Sequence, residues 1–383
     1  MFDAQSPVFL AFAHRLGLGP VRAVFLTGDA SSRQYVRLFS ETEPSRSYVL
    51  MVMDPRSPLK SEEAGWDHVQ PDELLFINMQ RFLHRIGARV PEIYGYDPEA
   101  GLLLLEDLGD LTLEGWLTHA SAWGADHSAA VTSTEAEPLP ELVGTHRPAI
   151  LRLPSEVEGI YRKAIDSLVH LQAHAIDGDA FDQTWASRVY FDEALLYWEF
   201  HHFYEYTVAP SPHPGLPGDD ALILEALRVL ARVLAQQPTT CVHRDLHCRN
   251  LMIHREQVYL IDFQDAVTGP LLYDLVSLLG DAYIKLPERM VGRLKDYYYE
   301  RASVAGVRGL PARDVMERDY LAIGLHRLMK AAGRFDFLNT VKHKPSYLQY
   351  IPHLLDAIRT ILRRDPAYGE LHAALARRLP VLA

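Results

Sequence analysis

The stretch His243-Arg244-Asp245-Leu246-His247-Cys248-Arg249-Asn250, followed by Ile261-Asp262-Phe263, is the part of this chain from which the rest can be read. It holds an Asp, an Asn five residues later, and a second Asp beyond. Between them, Leu251-Met252-Ile253-His254 and Val258-Tyr259-Leu260-Ile261 have the look of two short strands around a turn at Arg255-Glu256-Gln257. A hairpin there brings its outer ends together, and with them Asn250 and Asp262. The set suits one chemistry. Phosphoryl transfer needs a carboxylate that orients and deprotonates an acceptor hydroxyl, and ligands for the Mg²⁺ that neutralises a triphosphate. Asp245 would serve the hydroxyl, and Asn250 and Asp262 the metal. Either half alone reads as a polar turn, with Asp262 merely ending a buried strand. Together, in this order and at hairpin spacing, they read as a catalytic loop at 243–250 and a metal loop at 261–265.

Composition sets the frame around that loop. A chain of 383 residues exceeds one ordinary core, so two lobes are expected. Hydrophobic content of 48% and charged content of 23% are those of a water-exposed globular protein. A net charge of -12, with no run of Lys and Arg, excludes a nucleic-acid binder that works through a basic surface. Cys241 and Cys248 are the only cysteines, too few for a disulfide scaffold and consistent with a reducing compartment. Residues Met1 to Pro7 lack the basic start and apolar core of a signal peptide. No apolar run is long enough to span a bilayer, so a cytoplasmic protein without membrane partners is expected.

The first hundred residues read as a small α+β lobe. Val21 to Leu26, Gln34 to Phe39 and Tyr48 to Met53 are strand-like, and Asp72 to Ile86 carries apolar residues at helical spacing. Pro91 to Tyr96 and Leu102 to Leu105 add two more strands. Three strands, a helix and two strands is the order of the small lobe of a protein-kinase-like fold. The expectation is therefore a bilobal α+β protein: an antiparallel-sheet lobe over 1–108, a hinge near 104–109, and a larger helical lobe over 109–383. Leu104, Glu106 and Leu108 would present hinge backbone to an adenine edge. The turn Gly28-Asp29-Ala30-Ser31-Ser32, with Arg33 beside it, would cover the phosphates through its small residues and N–H groups. Residues 118–154 are rich in Ala, Ser, Thr, Glu and Pro without periodicity, and read as a flexible surface insertion. Beyond it the chain is helical: Val157 to Gln172, Asp192 to Tyr206, Asp220 to Leu234, Leu271 to Leu279, and most of Pro287 to Leu379.

The acceptor is expected to be a small molecule. Asp262-Phe263-Gln264-Asp265-Ala266-Val267-Thr268-Gly269-Pro270 runs almost directly into the next helix, leaving no room to receive a peptide, and no Ala-Pro-Glu follows. His247 stands two residues after Asp245, where Ser/Thr protein kinases carry Lys. In these departures the chain resembles the aminoglycoside phosphotransferase and choline kinase superfamily. Gly28 to Tyr35, Leu105-Glu106-Asp107-Leu108-Gly109-Asp110, the catalytic loop, Ile261 to Ala266, Tyr273 to Leu279 and Leu325-His326-Arg327-Leu328-Met329-Lys330 together resemble the bacterial anomeric kinases of cell-wall recycling.

That resemblance implies ATP and Mg²⁺ as cofactors, and transfer to the C1 hydroxyl of N-acetylmuramate or N-acetylglucosamine. It also implies that Asp274, His243 and Arg244 support the catalytic loop. Arg249, Gln264, Asp265 and Asp281 are the candidates for touching the acceptor. The third strand has no Lys to balance the phosphates, which leaves Arg33, Arg37 and Lys60 as the candidate cations. Two alternatives stay open: a kinase for an aminoglycoside, choline or another sugar, and a non-catalytic nucleotide-binding regulator.

Overall fold

The computed structural model describes residues 3–26, 34–53, 73–118, 141–144, 152–175 and 179–383. Its small lobe opens with helix α1 (Pro7–Arg15), which the sequence reading passed over although Ser6 caps it and Pro7 starts it. Strands β1 (Val21–Leu26), β2 (Gln34–Ser40), β3 (Ser47–Val52), β4 (Ile93–Asp97) and β5 (Leu102–Glu106) form an antiparallel sheet in the order β1-β2-β3-β5-β4, and α2 (Leu75–Arg85) lies between β3 and β4 in the chain.

Alternation assigns the two faces of the sheet. Val36, Leu38, Leu50, Leu102 and Leu104 bury against Phe9 and Phe12 of α1, while Met51, Leu103 and Leu105 face α2 and the main core. The core on that second side runs without a break into the helical lobe. At the join the Phe76 ring of α2 packs 4.8 Å from Phe263, the residue after Asp262. The two lobes therefore meet on the segment that follows Asp262.

The larger lobe holds α3 (Leu113–Thr118), α4 (Pro154–His174), α5 (Asp179–Asp182), α6 (Glu193–Phe203), α7 (Asp219–Ala235), α8 (Tyr273–Leu279), α9 (Glu288–Val304), α10 (Arg313–Thr340), α11 (Ile351–Arg364) and α12 (Gly369–Arg378). Three two-stranded ribbons thread through these helices. They pair β6 (Glu141–Leu142) with β11 (Ile284–Lys285), β7 (Thr239–Val242) with β10 (Val267–Pro270), and β8 (Leu251–His254) with β9 (Gln257–Leu260). Residues 141–144 belong to the stretch read as a flexible surface insertion, and within them Glu141 and Leu142 pair with β11; residues 119–140 and 145–151 lie outside the described residues. The helix expected to reach Tyr206 stops at Phe203 and passes into a π-turn over Tyr204–Val208, where Thr207 bonds Asp336 of α10 at 2.7 Å.

Candidate active site

The hairpin β8–β9 is tighter by one residue than expected, because Gln257 belongs to the second strand. Arg255 and Glu256 make the whole turn with φ of 47° and 63°, the pair of left-handed residues that a two-residue hairpin of matching twist requires. Lys163 of α4 caps it by donating to the Glu256 carbonyl at 2.7 Å. Register then brings the outer ends together: Leu251 faces Leu260, and Ile261 N–H donates to Asn250 O at 3.1 Å. Asn250 and Asp262 thus flank one point.

Their donor atoms suit a cation. The Asn250 amide nitrogen donates to the Asp245 carbonyl at 2.9 Å, which leaves the amide oxygen for another partner. Asp262, exposed and in the left-handed region at φ 64°, accepts from Gln264 through Oδ1 at 2.8 Å and keeps Oδ2. Among the described residues no three His, Cys, Asp or Glu converge. Two protein donors, with phosphate oxygens and water completing the shell, are what Mg²⁺ ordinarily takes.

The 243–250 loop is held from several sides. The buried carboxylate of Asp274 accepts N–H bonds from His243 at 2.7 Å and from Arg244 at 3.1 Å. His243 donates through Nε2 to Ile261 O at 2.9 Å, linking this loop to the metal loop. Arg244 sits at φ 76°, a conformation that non-glycine residues seldom adopt, and its guanidinium goes inward to Glu199 at 3.1 Å.

Several residues expected at the acceptor or the phosphates have other partners. Asp281, 3% exposed, accepts from Cys248 N–H and Tyr283 N–H at 2.8 Å each, so it is spent on the loop's own backbone. Arg249 forks onto Glu114 of α3 at 2.9 and 3.0 Å, bonds Tyr350 at 3.0 Å, and lies 3.7 Å over the Tyr283 ring. Gln264 joins Asp262 to Asp265. Arg37 binds Asp107 and Asp110, tying β2 to the 107–110 segment. At the hinge, Leu104 sits in a strand paired on both sides. Glu106 N–H goes to Glu92 O, and the Leu108 carbonyl accepts from His254. Gly28 to Arg33 and Lys60 lie outside the described residues. Burial pushes both cysteine thiols up, which leaves them protonated filler.

Sequence reading assigned no role to a second layer behind the loop. Glu199 of α6, 1% exposed, meets Arg244, His326 Nε2 at 3.1 Å and Lys330 Nζ at 2.8 Å. Burial works to raise its carboxyl, and Lys330, His326 and Arg244 overcome that, holding it well below the usual carboxylate range. One helical turn away from Lys330 on α10, Arg327 reaches past this cluster. It donates through one amino group to the Arg244 carbonyl at 2.7 Å, approaches Asp245 Oδ1 at 3.4 Å, and has the Tyr273 hydroxyl at 3.3 Å. Asp245 itself is 47% exposed in its side chain. Burial on its inner side works to raise its carboxyl, and Lys330, Arg327, His247 and Arg244 outweigh that, keeping it ionised.

Glu199→Gln removes the buried charge that Arg244, His326 and Lys330 share. Leaving buried cations uncompensated costs ~3–5 kcal/mol. The midpoint of urea unfolding should fall accordingly, and an unchanged midpoint would show that the cluster is electrostatically idle.

A family model described as the phosphotransferase enzyme family (APH) matches residues 22–307 of this chain. An N-acetylmuramate/N-acetylglucosamine kinase of Neisseria meningitidis serogroup B is 29% identical over 357 residues, covering 93% of this chain and 91% of that one. A kinase of the same name from Pseudomonas aeruginosa is 28% identical over 360 residues, covering 93% and 88%. Among solved structures, the chain is similar to a choline kinase from Cryptosporidium parvum, with a TM-score of 0.56 and 11% identity over 95% of this chain and 99% of that one. No helix among the described residues is long and apolar enough to cross a membrane.

Proposed function

The chain belongs to the phosphotransferase enzyme family, and from that premise we propose that it transfers the γ-phosphoryl group of ATP to the anomeric (C1) hydroxyl of an amino sugar. N-acetylmuramate and N-acetylglucosamine are the acceptors, and the sugar 1-phosphate returns cell-wall material for reuse. The observation that carries this reading is the end-to-end likeness to kinases named for those two sugars, coupled with Asp245 exposed beside the Asn250–Asp262 pair.

In the reaction Asp245 accepts a hydrogen bond from the C1 hydroxyl and aims its oxygen at the γ-phosphorus. The new O–P bond forms as the bond from phosphorus to the β–γ bridging oxygen breaks, ADP leaves with that electron pair, and the proton passes to Asp245. Asn250 and Asp262 would hold Mg²⁺, which screens the charge of the triphosphate. The adenine edge would meet the hinge near Leu108, whose N–H has no hydrogen-bond partner among the described residues.

Two features weigh against the other acceptors. A quaternary amine needs an aromatic cage, and the Tyr283–Tyr350 pair already holds the Arg249 guanidinium. A polycationic antibiotic needs an acidic cleft, and Asp281 is turned to backbone N–H groups.

The test is a coupled ADP-release assay against N-acetylmuramate, N-acetylglucosamine, glucosamine, choline and kanamycin. ADP should appear with the first two, and the product should lose the reactivity of a free reducing end. Turnover with choline or kanamycin alone would move the enzyme elsewhere in the family, and silence with every acceptor would favour a regulator.

A further inference from the structure

The small lobe carries no lysine on β3 and the catalytic loop has His247 where a lysine would stand two residues after the base, yet charge accumulates on the transferred phosphoryl group. We propose that Arg327 of α10 is a catalytic residue that donates to that phosphoryl group as it passes to the acceptor. This rests on the kinase reading above and adds to it the cation that the fold's usual positions lack.

Four observations carry the assignment. First, Arg327 lies within 3.4 Å of Asp245, the group that must touch the attacking hydroxyl, so its guanidinium stands beside the path of transfer. Second, it is the member of its cluster whose ion pair is with Asp245. Arg244 and His326 turn to buried Glu199, and Lys330 touches the same carboxylate, whereas among the described residues the carboxylate in ion-pair distance of Arg327 is Asp245 alone.

Third, Arg327 is anchored at one end only. A single amino group makes the contacts to the Arg244 carbonyl, Asp245 and Tyr273, while the other amino group and Nε have no hydrogen-bond partner in the described structure. A planar guanidinium held that way presents its remaining N–H donors as a preoriented fork, the geometry that phosphate oxygens match. Fourth, the Tyr273 ring lies 5.0 Å beneath it and α10 fixes its backbone, so little rearrangement is needed at the moment of transfer. During the step the guanidinium stays protonated. Its N–H groups follow negative charge onto the equatorial phosphoryl oxygens, and no proton is exchanged with them.

Arg327→Met and Arg327→Lys separate this from mere support of the loop. With the acceptor that the screen identifies, kcat of the Met variant should fall ~10²-fold or more, while KM for ATP and acceptor stays within about threefold. The Lys variant should recover part of the loss, and added guanidinium ion should partly restore Arg327→Ala. A second readout needs no acceptor: fluoroaluminate should tighten MgADP binding by the wild type and not by Arg327→Met, with MgADP alone bound equally by both. Equal tightening, a loss confined to KM, or a Met variant unable to bind MgADP would each overturn the proposal. A wild type inert toward every sugar would sink the acceptor assignment and still leave the fluoroaluminate comparison to decide Arg327.

Discussion

Asp245→Asn should lower kcat by ~10²–10⁴-fold, the range for loss of a general base, with KM for ATP nearly unchanged. The substitution is isosteric, and the amide oxygen still offers Arg327 an acceptor at the position now 3.4 Å away. Asp274 continues to hold the backbone N–H groups of His243 and Arg244, so the loop has no reason to move. What disappears is the capacity to receive the acceptor's proton as the O–P bond forms. The negative charge that faces Arg327 and Lys330 disappears with it. Quenched-flow measurement of the first turnover isolates that step from product release. An Asn variant with a first turnover within a few fold of wild type would remove Asp245 from the role of base.

Much of this site is legible in the sequence, for a physical reason. The candidate site is local: Asn250 and Asp262 flank the two ends of one hairpin, Asp245 lies just before it, and strand pairing suffices to bring those ends together. The β-sheet is legible for the same reason, since Leu102 to Leu105 alternate between α1 and the main core. The supports are not legible. Arg244 finds Glu199 45 positions away and Asp245 meets Arg327 across 82, and no periodicity records which helical charge turns inward. Arg249 and Asp281 show the same limit from the other side. A charged residue near a cleft has one spelling whether it faces substrate or ties down backbone, and here Glu114, Tyr350, Cys248 and Tyr283 claim them. Helix α1 was missed for a lesser reason: its Ser6-Pro7 start is a good signal, but nine residues ahead of a strand carry little periodicity.

Asp262→Ala should abolish measurable turnover, a loss of at least ~10³-fold, since metal screening of a transferring phosphoryl group contributes several kcal/mol and each ~1.4 kcal/mol is tenfold. Asp262 and Asn250 are not equivalent in this. Asn250 contributes a neutral oxygen and also holds the Asp245 carbonyl, so its loss mixes metal affinity with loop geometry. Asp262 supplies the negative charge, and its carboxylate is fixed by Gln264 while its backbone follows the Ile261 link to Asn250. Alanine at 262 retains the chain's course around Phe263, whose packing on Phe76 joins the two lobes, though it must adopt the φ of 64° now held by Asp. Nucleotide binding separates strain from lost coordination. Wild type should bind ATP more tightly as Mg²⁺ is added, whereas Asp262→Ala should bind it with an affinity that Mg²⁺ barely changes. Equal magnesium dependence in the two proteins would mean that position 262 does not carry the metal, and the hairpin ends would then need another purpose.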